Sequence, residues 1–500
     1  MGHETSAYGP FFERDVNQTH KGANVTDGWP MYDQRQSFGT LLGYFDCQEK
    51  TPGVNYPELS SRGCESVISG TPLPFAFTFV VEGQMLNSTI DGSTVKLYEQ
   101  RLNFKDGLQT WKYIWAPNGL DMSFDVEFTV FAARDNPNVG ATRMAVTPLG
   151  RDANVTIVDL IDGRSAVRSD LVDSGLLQDS TTMFVATSPN GLPSIKAYTF
   201  STANVSNVYT DESSRKASVF TDGNDKSVGQ QWDAALVDGK QAVFTKTIGV
   251  VSSDGFGNPK SEALRMSTEA SRKGWDQLLR KHTRVWNKLM DPKFTADYRD
   301  PVTGKLPANQ TILEMLQVEA IASRYWLLLN LLPDNGKGLN VHGVSVGGLA
   351  SSAYGGMLFW DQDFWMYPSI AVTNPEYARQ ILNARVKQFK QARANAQEPY
   401  VQAKYGFGPM AALYPWTAGR FGNATATGPV LDYEYHVNFV IALSMFIDLA
   451  ITSDDAYFKE HYWPVVEGIG HTAATLLKKD GNGYSVFNMT DPDEYAVSPL

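Results

Sequence analysis

Apolar and polar residues alternate through much of the first half of this chain. Phe75, Phe77 and Phe79 occupy every second position, and Phe124, Val126, Phe128 and Val130 interleave with Asp125, Glu127 and Thr129. A period of two with one polar face predicts half-buried strands. The runs Val155–Leu160 and Ala242–Val251 repeat the pattern, and turn-forming pairs such as Asp91-Gly92, Asn118-Gly119 and Asp222-Gly223 separate such runs. Many antiparallel strands over residues 1–258 predict a large β-sandwich domain.

The period changes near Pro259. Residues 261–290 contain no proline and no glycine except Gly274, so they are expected to be helical, and 259–308 reads as a helical linker. From Thr311 the apolar spacing becomes 3.6. Thr311-Ile-Leu-Glu314 has the capping-box spacing, with Thr311 as the N-cap of a helix ending before Pro333. Asn374-Pro375 opens a further helix toward Ala396, with a cap residue followed by proline at the first helical position. Other helices are expected over about 435–452, 454–460 and 463–479. Long apolar helices separated by loops rich in Gly, Trp and Tyr fit helix pairs stacked into a barrel over 309–500, its site built from loops at one end. A helical-repeat scaffold is the plainer alternative, although no fixed sequence period is present.

Five hundred residues exceed what one hydrophobic core organises, so two or more domains are expected. The net charge of −11 and pI near 5.2 argue against a nucleic-acid partner, which requires basic patches. No apolar run reaches the length of a membrane span, and the N-terminus lacks the apolar segment of a signal peptide. Cys47 and Cys64 are read either as one disulfide closing a short loop or as two buried thiols. Glycosylation sequons at Asn17, Asn24, Asn87, Asn154, Asn204, Asn309, Asn423 and Asn488 tilt the reading toward a secretory or vacuolar protein.

The segment from Gly347-Gly-Leu through Tyr354 to Phe359-Trp360-Asp361-Gln-Asp363-Phe-Trp365 joins small residues to an aromatic-acidic run. Small residues let backbone approach a ligand. An indole offers a pyranose a flat apolar platform, and a carboxylate accepts two adjacent sugar hydroxyls. The competing reading makes the aromatics core residues and Asp361 a helix cap. Tyr414-Pro-Trp416 and Glu434-Tyr-His436-Val-Asn438 are further candidates, although a lone histidine on an apolar helix is more often a core or surface residue. No metal-ligand spacing, Walker loop, GxGxxG or GxSxG occurs, so neither a metal nor a cofactor is expected. Asp493 and Glu494 cannot together form an acid–base pair, because neighbouring side chains diverge. An inverting glycosidase needs its two carboxyls about 6.5–9.5 Å apart.

In order along the chain, Tyr98–Gly107, the loop from Gly347 to Asp361, Ala392–Ala396, Ala411–Trp416 and Asp491-Pro-Asp-Glu-Tyr495 resemble the motifs of glycoside hydrolase family 65. The resemblance implies an N-terminal antiparallel β-supersandwich, a helical linker and an (α/α)6 barrel, only the first part of which this chain holds. It implies Glu494 as general acid, Trp360 and Asp361 as binders of the glucosyl ring in subsite −1, and Tyr354, Trp416 and His436 near the site. The run Gly356–Asp363 and the run Asn488–Tyr495 are most similar to the fungal branch that hydrolyses α,α-trehalose. The disaccharide trehalose is then the expected partner, with the catalytic base beyond residue 500. The remainder of the enzyme or a second chain would complete the barrel. A secreted, cell-wall, periplasmic or vacuolar location is expected. A disaccharide phosphorylase of the same family, or a hydrolase of another α-glucoside such as kojibiose, is the alternative. Gln362-Asp363 after Trp-Asp and Thr417-Ala-Gly-Arg420 after Pro-Trp depart from the bacterial phosphorylases.

Overall fold

The computed structural model describes residues 1–13, 37–47, 64, 66–178, 181–206, 209–333, 342–349, 351, 353–423, 434–487 and 489. The chain divides into two compact units. The first comprises Met1–Asn17, Arg35–Leu41 and Ser69–Tyr325; the second comprises Gln18–Gln34, Leu42–Ile68 and Trp326–Leu500.

The first unit is β-rich and antiparallel, followed by helices. Its strands are β1 (Gly2–Glu4), β2 (Phe38–Thr40), β3 (Phe77–Val81), β4 (Gln84–Met85) and β5 (Val95–Asn103). Next come β6 (Leu108–Trp115), β7 (Ser123–Ala132), β8 (Val139–Leu149), β9 (Ala153–Ile161) and β10 (Ser169–Leu176). The set closes with β11 (Thr182–Pro189), β12 (Ala197–Ser206), β13 (Tyr209–Ala217), β14 (Val228–Leu236) and β15 (Ala242–Ser252). An eight-stranded sheet runs in the order β10-β11-β12-β15-β8-β7-β6-β5, and a five-stranded sheet in the order β13-β14-β9-β3-β4. In β7 the predicted alternation holds: Phe124, Val126, Phe128 and Val130 are buried, while Asp125, Glu127 and Thr129 are not. The two sheets meet at a buried ion pair. Lys246 Nζ of β15 lies 2.8 Å from Asp159 Oδ1 of β9, and both side chains are inaccessible. Lys246 also donates to the carbonyls of Ala76 and Leu160, and Gln230 donates to Asp159. Every charge is therefore hydrogen-bonded, the condition for keeping such a pair in a core.

The stretch 261–290 forms two helices, α1 (Pro259–Lys273) and α2 (Trp275–Leu289). Gly274 separates them with φ +75°, a conformation glycine adopts without a Cβ clash. Helix α1 lies so close on β15 that a Cβ at Gly249 would come within 2.2 Å of the Ala263 carbonyl oxygen. This covering helix explains why β15 is buried on both faces over residues 246–251, where one polar face was expected. In α2, His282 is buried as a neutral ring. Its Nδ1 accepts the Arg134 backbone N–H at 3.0 Å, and its Nε2 lies 3.0 Å from the Gly107 carbonyl oxygen.

Burial pulls the His282 pKa down from 6.5 to about 4. Between those values the unfolded chain holds more protons than the folded one, so this unit loses stability as pH falls through that window. The expected slope is up to about 1.4 kcal/mol per pH unit from this residue. Urea midpoints taken across pH 4 to 6.5 should show it, and His282→Gln should flatten it. An unchanged slope in the variant would remove His282 as the cause.

Helix α3 (Thr311–Leu329) begins at Thr311, but the Gln310 carbonyl accepts the Glu314 N–H at 3.2 Å. Gln310 thus occupies the cap position and Thr311 is the first helical residue, a shift of one from the capping-box reading.

The second unit is helical. A π-helical turn (Gln362–Met366) leads into α4 (Tyr367–Ala371), α5 (Pro375–Ala396) and α6 (Pro399–Tyr405). Helix α7 (His436–Thr452) follows, and then α8 (Asp455–Tyr457) runs through a second π turn (Phe458–Tyr462) into α9 (Trp463–Leu476). The two helices expected over 454–479 are therefore one continuous element, which gives way to a short hairpin from Lys478 to Ser485. Asn374 precedes α5 as expected, without a side-chain capping bond. Cys47 and Cys64 form a disulfide, which resolves the two readings left open by sequence.

Candidate active site

Helix α5 is the post on which the candidate site hangs. Arg385, Gln388, Ala392 and Asn395 fall on one face at helical spacing and are all buried. Each polar member of that row holds a loop. Asn395 Nδ2 donates to the carbonyls of Leu413 and Gly422 at 3.1 and 3.0 Å, and Gln388 Nε2 donates to that of Gly419 at 2.9 Å. Arg385 Nη2 reaches the Phe359 carbonyl at 3.1 Å and Asp363 Oδ2 at 2.6 Å. Both Arg385 and Asp363 are inaccessible to solvent. Burial pushes the Asp363 carboxyl up, and Arg385 pulls against it.

Trp360 and Asp361 lie between these two anchors. Phe359 is held through its carbonyl, Asp363 through its carboxylate, and the Asp363 carbonyl accepts Ser444 Oγ at 2.7 Å from α7. The backbone makes a π turn directly after Asp361, a local widening that often re-aims side chains at functional sites. Asp361 makes no capping bond, contrary to the helix-cap reading. It is half-buried, and that burial raises its pKa. The Trp360 indole is 7% exposed and meets the His436 ring edge-on at 5.2 Å. His436 Nδ1 lies 3.2 Å from a Glu434 carboxylate oxygen, and both residues are buried.

A second arm arrives through an isolated bridge. Leu358 and Ala418 exchange backbone hydrogen bonds of 2.8 and 3.0 Å, bringing the Tyr414–Trp416 loop beside the Trp360 segment. Tyr414 donates its hydroxyl to the Arg385 carbonyl, and its backbone N–H donates to Asn438 Oδ1, each at 2.8 Å. Phe359 then touches Trp416 edge-on at 6.3 Å and Tyr354 edge-on at 5.6 Å. The Trp416 indole N–H has no hydrogen-bond partner among the described residues. Tyr354 is 41% exposed, and it, Gly355 and Gly356 all have positive φ. Gly356 is needed there, since a Cβ would meet Ile68 at 2.5 Å.

Two ring groups, Tyr354–Phe359–Trp416 and Trp360–His436, are thus joined in the second unit through the consecutive residues Phe359-Trp360-Asp361. Such a cluster offers ring faces and carboxylates, the surfaces a pyranose requires. Glu494 lies outside the described residues, as do Asn17, Asn24 and Asn488. Arg385 and Gln388 fall outside the motifs singled out by sequence; polar side chains recurring at helical spacing through 385, 388 and 395 were the available sign. Among the described residues no group of three or more His, Cys, Asp or Glu side chains is placed to hold a metal ion.

Residues 21–289 match the N-terminal domain, and residues 326–498 the central catalytic domain, of glycosyl hydrolase family 65. The chain belongs to that family. An acid trehalase of Emericella nidulans is 36% identical over 99% of this chain and 47% of its own length. A cell wall acid trehalase of Arthroderma benhamiae is 34% identical with the same coverage. The chain spans about half the length of the curated relatives it matches. Among solved structures, a putative kojibiose phosphorylase from human microbiome superposes with a TM-score of 0.74 over 92% of this chain and 56% of its own, at 13% identity. At that identity the likeness concerns the fold alone. In family 65 terms, the cluster lies in the part matched to the central catalytic domain.

Proposed function

We propose that this chain is part of an inverting glycoside hydrolase that cleaves α,α-trehalose into two glucose molecules. The observation that carries this reading is the 36% identity, over 99% of the chain, to a relative named acid trehalase. Trp360 and Asp361 bind the glucosyl ring in subsite −1, supported by their fixed position between the Phe359 and Asp363 anchors. Tyr354, Trp416 and His436 border that ring. Glu494 protonates the bridging oxygen, while a water activated by a carboxylate beyond residue 500 attacks the opposite face of the anomeric carbon. The departing glucose keeps its α configuration, and the attacked one emerges as β-glucose.

The domain division we propose is a sandwich over 1–258, a linker over 259–308 and an (α/α)6 barrel from 309 onward. Ile312, Met315 and Val318 on α3, and Leu443 and Phe446 on α7, are exposed apolar side chains. They support a barrel whose further helices come from the remainder of the polypeptide or a second chain. An extracellular glycoprotein, in the cell wall or periplasm or else in the vacuole lumen, fits the cell-wall name of one relative. The Cys47–Cys64 disulfide and the sequons support the same compartment. No helix among the described residues is long and apolar enough to cross a membrane.

A screen of α-linked glucose disaccharides with the full-length polypeptide, with and without phosphate and with the product anomer read by NMR, tests the reading. Trehalose should yield glucose, half of it initially β, at a rate independent of phosphate. Release of glucose 1-phosphate only when phosphate is supplied would replace hydrolysis by phosphorolysis.

A further inference from the structure

Two surface clefts of the first unit are each bordered by a sequon asparagine. One, of about 480 Å³, lies where β8, β12 and β15 meet the junction of α1 and α2. Asn204, Thr245, Arg143, Lys273, Trp275 and Arg280 line it. In the sheet register Asn204 pairs with Thr245, and Thr245 pairs with Arg143, so these three side chains form one row across neighbouring strands. Their chain neighbours Ala203, Phe244 and Met144 are buried, which places the row on the outward face. The break at Gly274 sets Trp275 at the edge of the cleft. Its indole packs edge-on against Phe131 at 5.2 Å yet stays partly exposed, so it is a fixed apolar platform. Asn204 accepts the Thr245 hydroxyl on its backbone carbonyl at 3.5 Å, and none of the hydrogen bonds among the described residues uses its exposed carboxamide.

We propose that Asn204 carries an N-linked glycan whose first N-acetylglucosamine seats in this cleft, stacked on Trp275. The pyranose has an apolar face of C–H groups that suits an indole. Its acetamide carbonyl supplies an acceptor for the cationic side chains that line the cleft, Arg143, Lys273 and Arg280. The sequon is complete in Asn204-Val205-Ser206, and Asn204 is exposed. The second cleft, of about 500 Å³, provides the contrast. Asn154 borders it, but its other polar lining includes Glu82, Asp211 and Asp233, and none of the described lining residues is aromatic. Among the described residues this second cleft offers no indole platform of the Trp275 kind. The proposal rests on the extracellular reading above, because only a chain in the secretory pathway meets the transferase.

The test is glycopeptide mapping of the protein secreted from a eukaryotic host, followed by timed release with peptide N-glycosidase. Asn204 should be occupied. In the folded protein its glycan should leave about tenfold more slowly than that of Asn154 or Asn309, and at the same rate once the protein is denatured. Trp275→Ala should bring the Asn204 rate up to the others. Trp275→Leu, which keeps apolar contact with Phe131 but removes the flat indole, should do the same and covers the case where the alanine variant misfolds. An empty Asn204 beside occupied sequons overturns the proposal and leaves the extracellular reading standing. Equal release from Asn204 and Asn154 in the folded protein also overturns it. Absence of glycan at every sequon removes both.

Discussion

Glu494→Gln in the full-length protein is expected to lower kcat for trehalose by about 10²–10⁴-fold, with KM changed little. The substitution keeps the size and most of the polarity of the side chain, so substrate still binds. It removes the one proton that the bridging oxygen must receive as the glycosidic bond breaks. A glucosyl fluoride, whose leaving group needs no protonation, should lose far less rate than trehalose does. That difference separates a missing proton donor from a disturbed fold. Equal losses on both substrates, or a wild-type rate on trehalose, would take the acid role away from Glu494.

Arg385→Ala is expected to destabilise the second unit by about 3–5 kcal/mol, because it leaves the Asp363 carboxylate buried without its counter-charge. Arg385 makes two hydrogen-bonded contacts to Asp363 through Nε and Nη2 and one to the Phe359 carbonyl. Lysine cannot reproduce that fork, so Arg385→Lys should recover only part of the loss. A paired apolar replacement, Arg385→Met with Asp363→Leu, should regain most of the stability, since no charge then stays uncompensated. It should not regain the activity. The Phe359 carbonyl and the turn after Asp361 lose the anchors that hold Trp360 and Asp361 between them. Urea denaturation together with trehalose turnover reads both effects. An Arg385→Ala protein within about 1 kcal/mol of wild type would show that water or a neighbouring group takes over the charge.

Local periodicity made the strands of the first unit legible. Over Phe124–Val130 each inward position is apolar and each outward one polar, because the sheet buries one face there. The same rule misjudged β15. Lys246 falls on an inward position of that strand, and it is tolerated only because Asp159 and the carbonyls of Ala76 and Leu160, all far away in sequence, converge on it, with Gln230 donating to Asp159 in turn. The outer face of β15 is buried by α1, a fact of packing that no alternation records. Helix boundaries fared similarly. Pro375 opened α5 where expected, whereas Gly274 and the second π turn depended on how neighbouring helices pack.

The sequence by itself determined which residue types were available to the site: the indole at 360, the carboxyl at 361, the histidine at 436 and the aromatic at 416. Their order along the chain also carried the family. Tertiary structure alone decided that Arg385, 22 residues from Asp363, is its partner, that Glu434 stands beside His436, and that Cys47 joins Cys64. The physical reason is that periodicity reports only where a side chain faces along its own element. Pairing of buried charges, ring contacts and covalent links depends on which elements meet, and that follows from burying apolar surface over the whole unit.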